Sequence, residues 1–276
     1  MKKIRVTVLL CVFILALAGC QSESEKSEEK KEVNSAIQEI KPASITIQRN
    51  YDGDGKLNNY YETEYGKDGN ILKNTRFSSD NSIEQYTIYE YDENLNCVKQ
   101  TIFSSDNSIE QYTVYEYDGD KEVSQITYTS DGTVFAKGEY IYDVNGKRNK
   151  YVNEYIDLDT GKACGKDVRE YNENGYVNKW EDWFDGEKIM ETIYEYDKKN
   201  NKVLEKKSFL DTVMYWSEYE YDGKNNIRIK KYNGEGEVEY IVTNEYKEDK
   251  IIKSTTYYVV NAEKIDGYSE WEYTDL

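Results

Sequence analysis

Residues Phe77–Asp92 read FSSDNSIEQYTIYEYD, and residues Phe103–Asp118 read FSSDNSIEQYTVYEYD. The two differ only by Ile88 against Val114, at an offset of 26 residues. Their closing phrase, tyrosine–acid–tyrosine–aspartate, returns at Tyr194–Asp197 and Tyr219–Asp222, and at Tyr140–Asp143 with Ile141 in the acid's place. Looser copies end at Tyr65, Tyr171, Tyr246 and Tyr273, and successive final tyrosines are spaced 26, 26, 25, 29, 25, 25, 25 and 27. A repeat of that length marks an array whose units each pack on their neighbours, so one unit can be copied in frame without disturbing the rest.

Each unit reads as two strands. After the Tyr-Asp comes a turn such as Asn145-Gly146 or Asn174-Gly175, then a strand that ends in an aromatic: Phe77, Phe103, Tyr128, Phe184 or Phe209. A second turn follows, for instance Asp131-Gly132, and a longer strand climbs to the next Tyr-Asp. Asn-Gly and Asp-Gly tolerate positive φ at low cost, and the flanking runs alternate with period two and are rich in Tyr, Ile, Val and Thr. The lone proline, Pro42, precedes the first strand, as an uninterrupted hydrogen-bond ladder requires. The expected fold is therefore all-β. It is an extended antiparallel meander of about 18 strands built from 25-residue two-stranded repeats, forming a twisted or curled single sheet over residues 44–276. Strand parity stacks the tyrosines of the Tyr-Asp phrase on one face and sets glutamates on the other.

The N-terminus sets the address. Lys2, Lys3 and Arg5 precede an apolar run from Val6 to Leu17, which at 12 residues is shorter than the ~20 a membrane-spanning helix needs. The run ends in Leu17-Ala18-Gly19-Cys20, which resembles a bacterial lipobox. That resemblance implies a signal peptide over residues 1–19 and acyl chains, palmitate-type among them, on Cys20. It places the mature chain on the extracytoplasmic side of a bacterial membrane, and more than one acyl chain gives stable anchoring. Residues 20–43, rich in Ser, Glu and Lys, read as a flexible acidic tether, with a short amphipathic helix around Val33–Ile40 as the competing reading.

Removal of the signal would take the net charge from −18 to −21, which argues against nucleic acid as a partner. Cys97 and Cys164 lie 67 residues apart, more than two units, and are expected to be free and partly buried.

The phrase YEYD followed by a turn and SDN or SDG also resembles the YD repeat of Rhs-family proteins, found in bacterial wall-associated and toxin-encapsulating proteins. The resemblance spans nearly the whole mature chain and implies a long β-sheet. MORN-type hairpin repeats are a second resemblance.

The chain contains no histidine, which removes the commonest general base and metal ligand. Asn50, Asp52, Asp54 and Gly55 have the spacing of a calcium loop, but Tyr61 stands where a bidentate glutamate belongs, and the same residues serve a turn. No catalytic residue, metal or cofactor is expected. The expected function is a non-catalytic scaffold that binds an envelope protein. The alternative is a glycan-binding surface lipoprotein that stacks sugars on Tyr89, Tyr115, Trp180, Trp183, Trp216 and Tyr219.

Overall fold

The computed structural model describes residues 41–259 and 264–275. The signal segment, Cys20 and the tether up to residue 40 lie outside the described residues. From Pro42 onward the chain forms one compact unit. Its first strands are β1 (Ser44–Asp52), β2 (Leu57–Tyr65), β3 (Ile71–Ser78), β4 (Ile83–Tyr91), β5 (Cys97–Ser104) and β6 (Ile109–Asp118). The next are β7 (Lys121–Thr129), β8 (Val134–Tyr142), β9 (Arg148–Ile156), β10 (Ala163–Tyr171), β11 (Val177–Phe184) and β12 (Glu187–Tyr196). The last are β13 (Lys202–Phe209), β14 (Thr212–Asp222), β15 (Asn225–Asn233), β16 (Val238–Lys247), β17 (Lys250–Tyr258) and β18 (Lys264–Asp275).

The strand count and pairing follow the repeat, and one expectation is corrected. The sheet is not an open or merely curled meander. β18 pairs with β1 from Ser44↔Asp275 to Asp52↔Gly267, and the 18 strands close into a barrel. Every hairpin carries a β-bulge, whereas the closing β1–β18 seam has none. A bulge bends its strand and adds right-handed twist, so bulges repeated at both ends of every unit accumulate into closure. Closure leaves no unpaired sheet edge.

The aspartate of the Tyr-Asp phrase is a turn cap. Asp92 Oδ1 accepts hydrogen bonds from the backbone N–H of Asn94 and Asn96, both at 2.9 Å. Asp143 and Asp197 repeat the arrangement, Asn172 substitutes for it, and Asn233 caps a turn at the opposite end in the same way. Asp52 does the same for Asp54 and Lys56, which makes the Asn50–Gly55 stretch a turn, as expected.

The second tyrosine of the phrase closes the open end of its own hairpin. Backbone pairing of β3 with β4 stops at Lys73↔Ile88, and Tyr91 Oη then donates to the Ile71 carbonyl at 2.7 Å. Tyr117, Tyr142, Tyr196, Tyr221, Tyr246 and Tyr273 make the same rung to Cys97, Glu122, Val177, Lys202, Asn226 and Ile251.

Exposure tells the two faces apart. In β8, Phe135, Lys137, Glu139 and Ile141 are exposed while Ala136 and Gly138 are buried, and β14 alternates the same way. The tyrosine column therefore lines the lumen and the glutamates face outward. On the outer face, near the opposite end, aromatic pairs join one unit to the next. Tyr60–Phe77, Tyr86–Phe103, Tyr112–Tyr128 and Trp216–Tyr232 stack at 4.5–5.0 Å within 14° of parallel. Each such pair contributes about 1 kcal/mol beyond its buried area.

Candidate functional site

The six residues read from sequence as a stacking platform are all half-buried and do not share a groove. Tyr89, Tyr115, Trp180 and Tyr219 lie on the lumenal face, whereas Trp183 and Trp216 lie on the outer face. Most are already engaged. Tyr115 Oη donates to Gln100 Oε1 and Tyr219 Oη to Glu205 Oε2, both at 3.0 Å. Trp183 Nε1 donates to Glu181 at 3.3 Å, and Trp216 stacks on Tyr232. Burial pushes the phenols of Tyr89, Tyr115 and Tyr219 above their ordinary range, and those of Tyr140 and Tyr194 up to about 12.

The lumenal face of β7–β11 holds a denser polar cluster. Asp167 on β10 is completely buried. Its Oδ2 accepts from Asn153 Nδ2 and Tyr155 Oη, both at 3.1 Å, and its Oδ1 lies 3.1 Å from Arg169 Nε. The Arg169 guanidinium sits between Trp180 (4.3 Å) and Tyr151 (5.0 Å). Burial raises the pKa of Tyr151, and burial with the nearby Asp167 charge raises that of Tyr155. Gly138 makes room for this packing, because a Cβ there would lie 2.4 Å from Tyr151 Oη. Gln125 then reaches Tyr151 Oη at 2.7 Å. Among the described residues, Asn153 Oδ1, Glu122 Oε1, Asp167 Oδ1 and Arg169 Nε are buried without a hydrogen-bond partner, the last two facing each other as an ion pair. Burial raises the Glu122 pKa, partly offset by the Arg148 charge.

Arg148 carries the cluster to the rim. Its guanidinium lies 4.2 Å from the Tyr140 ring and 5.6 Å from the Tyr171 ring. Beside it, between the β8–β9 and β10–β11 turns, opens a cleft of 310 Å³. None of Arg148, Asn153, Asp167 or Arg169 was singled out by the sequence reading. The available signal was the 29-residue step from Tyr142 to Tyr171, the longest break in the period.

A second lumenal group joins Lys202 Nζ to Glu205 at 2.8 Å and sets Lys202 4.4 Å from the Tyr219 ring. Cys97 and Cys164 are free and half-buried, as expected. Among the described residues, no group of three His, Cys, Asp or Glu side chains is placed to hold a metal ion.

No protein-family model matches the chain, and no curated protein does. The resemblances to YD-repeat and MORN proteins are therefore met by no family match. Among solved structures, a porin-like protein from Bacteroides uniformis aligns with 84% of this chain and 98% of its own, at 9% identity and a TM-score of 0.45. A porin-like protein from Bacteroides vulgatus aligns with 85% of this chain and 99% of its own, at 13% identity and a TM-score of 0.40. TcdB2-TccC3 without its hypervariable C-terminal region aligns with 78% of this chain but only 15% of its own, at 11% identity and a TM-score of 0.28. None of these scores marks a shared fold.

The faces of this barrel bear on membrane insertion directly. A lipid-spanning barrel turns an apolar band outward. Here Glu116, Lys137, Glu139, Glu154 and Glu218 are exposed along the outer wall, and the lumenal face carries Asp167, Arg169, Glu205 and Lys231. Among the described residues, neither face offers such a band.

Proposed function

We propose that the chain is a lipid-anchored, non-catalytic barrel of the bacterial envelope that binds a protein partner along its outer wall. The observation that carries this reading is the state of the site candidates. The aromatic side chains are half-buried, divided between two faces and mostly engaged, which suits a rigid scaffold better than a sugar-stacking platform. The completely buried Asp167 is held by two donors and the Arg169 charge and cannot touch a substrate, as a general acid or base must. The outer wall offers charge instead, with acidic and basic side chains alternating with the repeat and cations resting on rings, as Lys73 does on Tyr86 and Lys99 on Tyr112. Anchoring follows from the Leu17–Cys20 motif, with the barrel held beyond the membrane by the tether.

The test has two arms. Cys20→Ala should abolish incorporation of labelled palmitate and release the chain from membranes. In-cell crosslinking should capture one dominant envelope protein, and the double change Glu116→Lys/Glu139→Lys should reduce that capture. Membrane retention of Cys20→Ala would overturn the anchoring, and crosslinking that yields no protein partner would overturn the docking role.

A further inference from the structure

In the later units a tyrosine hydroxyl closes each hairpin's open end, and the hairpin of β9 and β10 is the exception. Tyr171 stands at the rung position, but its ring meets the Arg148 guanidinium, and the rim beside it holds the 310 Å³ cleft. That volume is at the lower end of small-molecule sites, which run roughly 300–1,000 Å³.

The wall is polar. Asn145 and Asn149 face the opening with Lys147, Arg148, Tyr171 and Glu173. Asn149 is the exposed bulge residue of β9. The charges are already balanced: Lys147 Nζ donates to the Glu173 carbonyl at 3.1 Å, the Glu173 and Asp143 carboxylates border the same space, and Arg148 offsets the buried Glu122. An anion would therefore find no surplus positive charge, and a cation would meet Lys147 and Arg148. What remains is a set of amide and charged donors and acceptors beside an aromatic ring, which suits a neutral ligand bearing several hydroxyls.

We propose that the rim cleft between the β8–β9 and β10–β11 turns, where the tyrosine rung is missing, binds a single neutral sugar ring through Asn145, Asn149, Arg148 and Tyr171. The site is independent of the outer-wall docking proposed above and differs from the six-residue aromatic platform.

The test is a titration of the full chain carrying Cys20→Ala with glucose, galactose and mannose, followed by amide chemical shifts, with inorganic phosphate and acetate as anionic comparators. At least one hexose should give saturable shifts confined to residues 143–149 and 171–173. Asn149→Leu should weaken that affinity about ten-fold without lowering the melting temperature, because Asn149 is exposed and makes no structural hydrogen bond in the cleft wall. Tyr171→Ala should weaken it as well. The assignment is overturned if no hexose binds, if hexose binding survives both substitutions unchanged, or if phosphate or acetate shifts these residues and hexoses do not.

Discussion

Tyr51 and Tyr268 lie face to face at 4.7 Å and 17° across the seam where the last strand meets the first. The same stack joins Tyr86 to Phe103 between two consecutive units in mid-chain. The barrel thus closes on its own repeat contact: β18 presents to β1 the aromatic stack that β2, β4, β6 and β14 present to the next odd strand. Arg49 Nη1 pairs with Glu272 at 3.0 Å along the same seam, and Ser269 Oγ donates to Asn50 at 2.6 Å.

The seam should therefore behave as one more inter-unit interface. A double-mutant cycle on Tyr51→Ala and Tyr268→Ala should give a coupling energy of about 1 kcal/mol, matching the value for Tyr86→Ala and Phe103→Ala. Gly267→Ala should cost more than either single change, because its Cβ would lie 2.8 Å from the Tyr51 carbonyl oxygen. Urea midpoints measure both. A seam coupling of zero beside a measurable mid-chain coupling would show that closure does not rest on the repeat contact.

Leu95 points to a local defect. It occupies the turn position held by Gly146 and Gly175 in other units, with φ of 66°, and its side chain is exposed. The left-handed region costs a non-glycine residue roughly 1–2 kcal/mol. Leu95→Gly should stabilise the barrel by about 1 kcal/mol after the unfolded-state entropy of glycine is charged against it. Gly146→Ala should destabilise by a similar amount. Chemical denaturation checks the pair, and an unchanged midpoint in Leu95→Gly would remove strain as the explanation for glycine at this position.

Much of this was legible in the sequence, and the misses have physical causes. The Tyr-Asp period located the hairpins, and strand parity separated the tyrosine face from the glutamate face because side chains alternate along a strand. Closure was hidden because a bulge inserts a single residue, such as Val98 opposite Tyr91, and leaves no mark in composition. Whether bulges accumulate into a closed ring depends on how Ser44–Asp52 meets Gly267–Asp275, some 220 residues away, and periodicity carries no information about that register. The lumenal cluster was missed for a related reason. Asp167 and Arg169 look like surface charges on an alternating strand, and only the fold turns them inward, Arg169 between Trp180 and Tyr151 and Asp167 against Asn153 and Tyr155.

The serine-flanked turns should mark the acid side of the stability curve. Asp80 is held first by the Ser78 and Ser82 hydroxyls and then by the Ser82 amide, which bring its carboxyl from the ordinary 3.8 down to about 2, and Asp106 repeats this with Ser104 and Ser108. A carboxyl depressed in the folded state contributes stability above its unfolded value, and that contribution is lost as the pH falls from 3.8 towards 2. Carboxyl carbon shifts should titrate at about 2 for both residues. Ser78→Ala should move Asp80 back towards 3.8 and leave Asp106 in place, whereas an Asp80 midpoint of 3.8 in the unaltered chain would contradict the turn geometry.

The near-identical copies permit a direct test of modularity. Deleting residues 78–103 joins Phe77 to Ser104, and the new junction reads as the old one did, RFSSDNSIEQYT. The deletion removes β4 and β5 and pairs β3 with β6, which matches β4 except for Val114 in place of Ile88. Tyr117 would then inherit the rung that Tyr91 makes to Ile71, and Tyr60–Phe77 and Tyr112–Tyr128 would remain as inter-unit stacks. The closing seam is untouched, so a 16-stranded barrel should form, with a melting temperature lowered by the loss of one unit and its interface. Because barrel diameter grows roughly linearly with strand number, small-angle scattering should report a contraction of about one part in nine. The equivalent deletion of residues 143–171, one 29-residue step that joins Tyr142 to Asn172, removes Arg148, Asp167 and Arg169 and leaves Gly138, Glu122 and Trp180 without their partners, so it should not fold cooperatively. If both deletions fold equally well, the cluster around Asp167 is not a structural keystone. If neither folds, the units are not interchangeable and the literal repeat has no modular meaning.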